Sequence, residues 1–267
     1  MSTSDPVLVS RQGAVATVTL NRPDALNTLD FAMMDSLVVA VADVAADDAL
    51  RVVILRGSGK HFMAGGDLRT FAGELTKPRA DRAADFTQII GRLHSAIELL
   101  QRMPHPVVAR VHGAVAGFGL SLVAACDLAI AADSAYFASA YRHIGLTPDG
   151  GMSWTLPRIV GYRNAMEILL LGERFDAQRA LQLGLVNRVV AAMDLDATVD
   201  SVVQAIVAGP TLALRNAKRL LRESSAHTLS QQLDAERRSL GECVGTADFE
   251  EGIAAFLDKR SPKFRLE

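Results

Sequence analysis

Cysteine is nearly absent from this sequence. The 267-residue chain has two, Cys126 and Cys243, too few and too far apart for a disulfide framework or a thiolate metal site. Cys126 sits inside an apolar run, where the expected role is that of a small buried hydrophobe. Neither sign of charge is in excess: 28 Lys and Arg against 30 Asp and Glu leave a net charge of −2 and a pI of about 6.3. Without a basic footprint, no nucleic-acid partner is expected. No run reaches the roughly 18 uninterrupted apolar residues of a membrane span. The opening MSTSDPVLVSRQG has no basic segment followed by a long apolar stretch, so neither a signal peptide nor a membrane partner is expected, and the expected location is cytoplasmic.

Several catalytic signatures are missing too. A dinucleotide fingerprint needs G-x-G-x-x-G, but Gly117-Phe118-Gly119-Leu120-Ser121 is followed by Leu122. A Walker A loop fails at Ile54 and His61, on either side of Gly59-Lys60. Ser121 has Gly119 two before it but Val123 two after it, so it is not a nucleophile elbow. None of the six histidines stands in H-E-x-x-H, and no metal site is expected.

What is present is 267 residues, enough for one large domain or for a domain plus a small helical appendage, with an apolar fraction of 49% against 22% charged that suits a globular protein with a large core. Ala14–Pro23 alternates, is β-branched and reads as a strand and turn. Asp30 suits the N-cap of a helix running toward Asp47. Arg51–Gly57 and Pro106–Gly113 are short, nearly continuous apolar runs, the pattern of strands covered on both faces. Between them lies a helical stretch from about Ala80 to Met103, with Phe86, Ile89, Ile90, Leu93, Ile97 and Leu100 on one stripe, ended by Pro104 and Pro106. Asp127–Ala132 and Ala135–Ser139 read as further strands. This alternation predicts an α/β fold. After about Ser153 the character changes: residues 162–171, 177–183, 198–208, 211–223, 229–241 and 246–258 read as helices, with only Val186–Val190 strand-like.

Two glycine loops each follow a buried-type strand: Ala64-Gly65-Gly66-Asp67 and Ala116-Gly117-Phe118-Gly119. Either alone reads as a tight turn. Together, aimed at one point, their backbone N–H groups would make an oxyanion hole.

The stretches NRPDALNTLD (21–30), GSGKHFMAGGDLRTF (57–71), PVVARVHGAVAGFGLSLVAACDLAIA (106–131), IGLTPDGGMSWTLPRIVG (144–161), AQRALQLGLVNRVV (177–190) and FLDKRSPKF (256–264), in this order and spacing, resemble the crotonase (enoyl-CoA hydratase/isomerase) family over nearly the whole chain. The resemblance implies a crotonase-like α/β fold, with a core of repeated β-β-α turns over residues 1–195. It also implies a C-terminal helical trimerisation region over 196–267, giving a homotrimer or a dimer of trimers. It implies an acyl-CoA substrate with coenzyme A as part of that substrate and no separate cofactor. Its oxyanion donors fall on the N–H groups of Gly66 and Phe118, with Gly117 and Gly119 along the substrate. The ring of Phe118, where the family usually has glycine, is expected to narrow the acyl pocket. The adenine end of CoA is expected near Ala25, Ala64, Asp67 and Leu68. Arg22, Phe256 and Lys259 are candidate phosphate or adenine contacts, the last two from a neighbouring subunit; surface charge and helix packing are the other reading of these three.

Family hydratases use two glutamates, and the matching positions here are Ser121 and Tyr141. One carboxylate remains, Asp149 of TPDGG, where family isomerases of similar sequence carry a lone Asp. One base suffices for isomerisation: it takes a proton from C2 of a 3-enoyl thioester and returns it at C4. An apolar acyl pocket should raise its pKa. His94 and Asp149 also resemble the His and Asp of the family's aryl-CoA dehalogenases, in which Asp is the nucleophile and His activates water; those enzymes carry Trp at the position of Tyr141. His143 and Tyr141 are further candidates to face the pocket. An isomerase is the leading expectation. A hydratase, an aryl-CoA dehalogenase, a thioester hydrolase and a non-catalytic acyl-CoA-binding module are the alternatives.

Overall fold

A computed structural model describes residues 5–265; the extremities of the two expected regions, residues 1–4 and 266–267, lie outside the described residues. The chain opens with a hairpin, β1 (Val7–Gln12) and β2 (Val15–Leu20), in antiparallel register. Asp30 then caps α1 (Phe31–Ala45) by accepting the Met33 N–H at 2.8 Å, as its position before an apolar helix predicts. Next come β3 (Val52–Gly57), α2 (Leu68–Gly73), α3 (Arg79–Arg102), β4 (Val107–Val111), β5 (Ala114–Ala116), α4 (Phe118–Ala125), β6 (Leu128–Ala132) and β7 (Tyr136–Ala138). The chain continues with α5 (Met152–Val160), α6 (Tyr162–Leu171), β8 (Phe175–Asp176), α7 (Ala177–Gln182), β9 (Arg188–Val190), α8 (Leu195–Val207), α9 (Thr211–Glu223), α10 (Leu229–Val244) and α11 (Ala247–Leu257).

The main sheet has the order β1-β2-β3-β4-β6-β9 and is parallel from β2 onward. A second, three-stranded sheet runs β5-β7-β8. Single parallel bridges, Met63 to Val115 and Leu29 to Gly66, extend that second ladder backward through the two preceding crossovers. Each turn of the chain is therefore a long strand, a short strand or bridge, and a helix. This is the β-β-α repeat that the family resemblance implied.

The strands of the main sheet are apolar throughout because both faces are covered. Alternate residues point to opposite sides. Val53, Val107, Ala109 and Ala129 join the large core with α1, α3 and α4. Their neighbours Val52, Val108, Ile130 and Ala132 form a separate cluster with Leu195, Val199 and Val203 of α8. By packing, α8 belongs with the sheet, so the sheet-bearing part runs through Val207, past the boundary expected at residue 195. Beyond it α9, α10 and α11 pack consecutively on one another. Several elements form where none was predicted: β1, α2, β5, α5 and β8. β1 is an edge strand with half its residues exposed, which removes the apolar signal; Pro157 lies within α5. No single described helix is long and apolar enough to cross a membrane.

Candidate active site

The site begins at Asn27. This residue is fully buried, with a left-handed φ of 55°. Its amide Nδ2 donates to the carbonyls of His61 and Ser58 at 2.8 and 2.9 Å, and its Oδ1 accepts the Arg22 N–H at 2.8 Å. Asn27 thus ties the turn after β2 to the chain leading into the first glycine loop. That loop meets the second at close range. A Cβ on Gly117, at φ 52° and ψ −123°, would stand 3.3 Å from the Cα of Gly65, itself at φ 85°. Only glycine allows this approach with this backbone.

The contact brings Gly66 and Phe118 onto one cavity of about 760 Å³. Among the described residues neither N–H is given to a protein acceptor. Phe118 is the first residue of α4, where an N–H has no partner inside the helix and the helix dipole favours negative charge. The ring of Phe118, which the sequence suggested would narrow the pocket, is 2% exposed and packs beneath the turn that carries Asp149. A Cβ on Gly150 would meet its Cε2 at 2.7 Å.

Asp149 faces the same cavity. The Tyr141 hydroxyl donates to its Oδ1 at 2.5 Å, and the Ser121 hydroxyl donates to its backbone carbonyl at 2.9 Å. His94, on α3, accepts the Gly150 N–H at Nε2 over 3.1 Å. Burial pushes the Asp149 carboxyl above the ordinary carboxylate range, against the opposing pull of the Tyr141 hydrogen bond. Tyr141 is itself pushed up, by burial and by the charge of Asp149. It therefore stays a neutral donor at any working pH.

The remaining wall is mostly apolar. Leu29, Met34, Leu68, Phe71, Phe86 and Ile90 line it, with Thr87 and Thr147 among them. Phe86 meets Phe71 edge-on with centroids 5.1 Å apart, and Phe31 at 6.3 Å. The upper part of the α3 stripe therefore faces the cavity, while Leu93, Ile97 and Leu100 fill the core. A groove of about 790 Å³ between α8 and the outer face of β1–β3 is comparable in size. Arg11, Arg110 and Asp196 in its walls are already ion-paired, and it holds no donor pair facing a base.

Of the residues singled out from the sequence, Gly66, Phe118, Asp149, Tyr141, His94, Ala64, Leu68, Gly117 and His143 line the cavity. Ser121 lies beneath the turn, and Gly119 packs on the Met63 carbonyl, leaving no space for a Cβ. Arg22 sits between two carboxylates, Asp30 and Asp67, at 3.0 Å each. Burial alone would raise the Asp67 carboxyl, but Arg22 and the N–H groups of Thr70 and Arg69 outweigh it and hold the carboxyl below its ordinary value. Both residues thereby fix the start of α2. Ala25 lies outside the cavity wall, in the turn whose next residue, Leu26, accepts the Ala64 N–H. Phe256 is 82% exposed at the end of α11, and Lys259 follows it at φ 55°; neither reaches the cavity within its own chain. The sequence reading missed Asn27, Phe71 and Ala140, whose φ of 61° sets the 3₁₀ turn that begins at Tyr141. Asn27 and Phe71 lay inside quoted motifs without being singled out, and Ala140 has no local signal beyond the turn.

Residues 10–266 match the family model for enoyl-CoA hydratase/isomerase. The chain belongs to that family and is an enzyme acting on an acyl-CoA. It is 35% identical to the 1,2-epoxyphenylacetyl-CoA isomerase of Escherichia coli K12, covering 97% of each chain. It is equally 35% identical to a probable enoyl-CoA hydratase of Rhodobacter capsulatus, covering 94% of each. The crystal structure of an enoyl-CoA hydratase from Polaromonas sp. JS666 superposes with a TM-score of 0.89 at 37% identity, covering 97% of this chain and 99% of that one.

Proposed function

We propose that the enzyme isomerises enoyl-CoA thioesters with Asp149 as its only acid/base, needing no cofactor beyond the CoA of the substrate. The observation that carries this reading is a single carboxylate on a largely apolar cavity that also holds two N–H groups without a protein acceptor among the described residues. The thioester oxygen would accept from Gly66 and Phe118, each such donor contributing roughly 3–4 kcal/mol as negative charge develops. Tyr141 occupies Oδ1 of Asp149, which leaves Oδ2 to take the proton from C2 of a 3-enoyl thioester and return it at C4. A carboxylate raised by burial suits both steps, since the base must also give the proton back. Water activation by paired carboxylates finds no second acid here, because Ser121 and Tyr141 hold the other two positions. The aromatic pair Phe71 and Phe86 on the cavity wall favours a ring-bearing acyl substrate as a second form of the same chemistry, in line with the name of the Escherichia coli relative. We place the CoA moiety along Ala64 and Leu68, and Phe256 and Lys259 in the service of a neighbouring copy in a trimer or dimer of trimers.

The test offers purified enzyme 3-enoyl-CoA and 2-enoyl-CoA separately and follows the absorbance of the conjugated thioester. Absorbance should rise with the 3-enoyl substrate, and Asp149→Ala should lose about 10³-fold in kcat, within the range of general acid–base catalysis. An Asp149→Ala enzyme of unchanged activity would sink the reading. Binding of both thioesters without turnover would favour a binding module.

A further inference from the structure

We propose that His94 is the positioning residue of the catalytic turn, holding Asp149 in place by accepting the Gly150 N–H at Nε2. This rests on the reading of Asp149 as the base. Three anchors act on Asp149 itself: Ser121 and the Met152 N–H on its carbonyl, and Tyr141 on its carboxylate. Gly150 and Gly151, at φ 59° and 75°, offer no side chain to fix the chain beyond Asp149. The Asp149–Gly150 peptide is instead held at both ends, its carbonyl by Ser121 and the Met152 N–H and its N–H by His94 at 3.1 Å. The same face of α3 supports the next residue. Ile97, one turn on from His94, lies 3.6 Å from where a Gly151 Cβ would stand. From below, the Gly150 backbone is closed by Phe118 and Ser121, with a Cβ there only 2.7 and 2.9 Å from their side chains. The turn is thus clamped between α3 and α4, and His94 is the polar half of the α3 jaw.

The hydrogen bond also decides what the ring does not do. An imidazole accepting at Nε2 is the neutral tautomer with its proton on Nδ1. The lone pair that would take a proton from water is already engaged by Gly150. His94 therefore acts through Asp149 and takes no part in proton transfer at that nitrogen.

The experiment compares His94→Ala with His94→Gln in the full-length enzyme; the glutamine side-chain oxygen can accept the same N–H but cannot act as a base. With 3-enoyl-CoA, His94→Ala should lose about 100-fold in kcat at nearly constant KM, the loss expected for a displaced catalytic group, and His94→Gln should recover to within about tenfold of wild type. Hydrogen exchange of the segment 147–151 is measured in parallel. It should quicken about tenfold in His94→Ala, as for one lost hydrogen bond, and return toward wild type in His94→Gln. Wild-type exchange in His94→Ala overturns the proposal, as does an unchanged kcat. So does a His94→Gln enzyme that keeps its protection yet is as inactive as His94→Ala, since that pattern marks proton transfer. The exchange readout needs no turnover. A wild-type enzyme that isomerises nothing would thus remove the isomerase reading and still show whether His94 holds the turn.

Discussion

Asp149 is a base under two opposed influences, and their balance can be moved by one atom. Burial lifts its pKa, and the hydrogen bond from Tyr141 pulls it back. The base works only when ionised, so kcat/KM should rise with pH through the pKa of the free enzyme, at a midpoint above that of an ordinary aspartate. Tyr141→Phe removes the lowering influence and leaves burial in place. The midpoint should therefore move to higher pH, and a pH–rate series on both enzymes reads the shift; a midpoint moved downward or not at all would contradict the arrangement. The residues of this reaction were unevenly legible. Gly66, Phe118 and Asp149 could be named because they stand inside ordered, spaced motifs. The donation from Tyr141 could not, since a separation of eight residues along the chain says nothing about two side chains meeting. The buried ring of Phe118 was misplaced for the same reason: its neighbour, Gly150, comes from another turn of the superhelix.

At the scale of elements, the strands were legible where both faces are buried, because a run such as RVVILRG has no other economical home. Helix α1 was legible through its cap, and the last helices through their periodicity. What stayed hidden were the elements whose reason is tertiary, such as the edge strand β1, and the loops whose shape is set by a distant residue. Asn27 is such a residue: the first glycine loop takes its place because one amide side chain satisfies carbonyls on the far side of β3. Asn27→Ala leaves those carbonyls and the Arg22 N–H without partners in a buried place. Each such group costs about 1–3 kcal/mol, so a loss of roughly 3 kcal/mol in unfolding free energy is expected, measured by denaturant titration. Because Gly66 lies at the end of the same loop, kcat should fall as well under conditions where the variant is still folded. A variant as stable and as active as wild type would show that the latch is dispensable.

The whole molecule carries its exposed apolar side chains unevenly. Leu221, Leu229, Leu240, Phe256 and Leu257, all from α9 to α11, are open to solvent, while α9 is bound to the core by ionic contacts. Lys218 and Arg222 reach Asp127 at 2.7 and 2.8 Å, and Lys218 also donates to the His105 carbonyl at 2.8 Å. A helix docked by its charged residues keeps its apolar ones for another surface, and apolar side chains gathered on one region mark an interface. The expected occupant is a second copy of the chain, which gives light scattering a definite outcome: a particle of three times the 28.5 kDa chain mass, or a multiple of that. Phe256 tests whether the interface also serves the substrate. It makes little contact within its own chain, so Phe256→Ser should leave the thermal unfolding of the chain unchanged. If the ring lies over the CoA of a neighbouring copy, KM for the thioester should rise about tenfold, as for one lost apolar contact worth roughly 1.4 kcal/mol, with kcat unchanged. A single-chain particle with an unaltered KM would confine the site to one chain. It would then fall to Ala64, Leu68 and the first glycine loop to hold the cofactor-like half of the substrate.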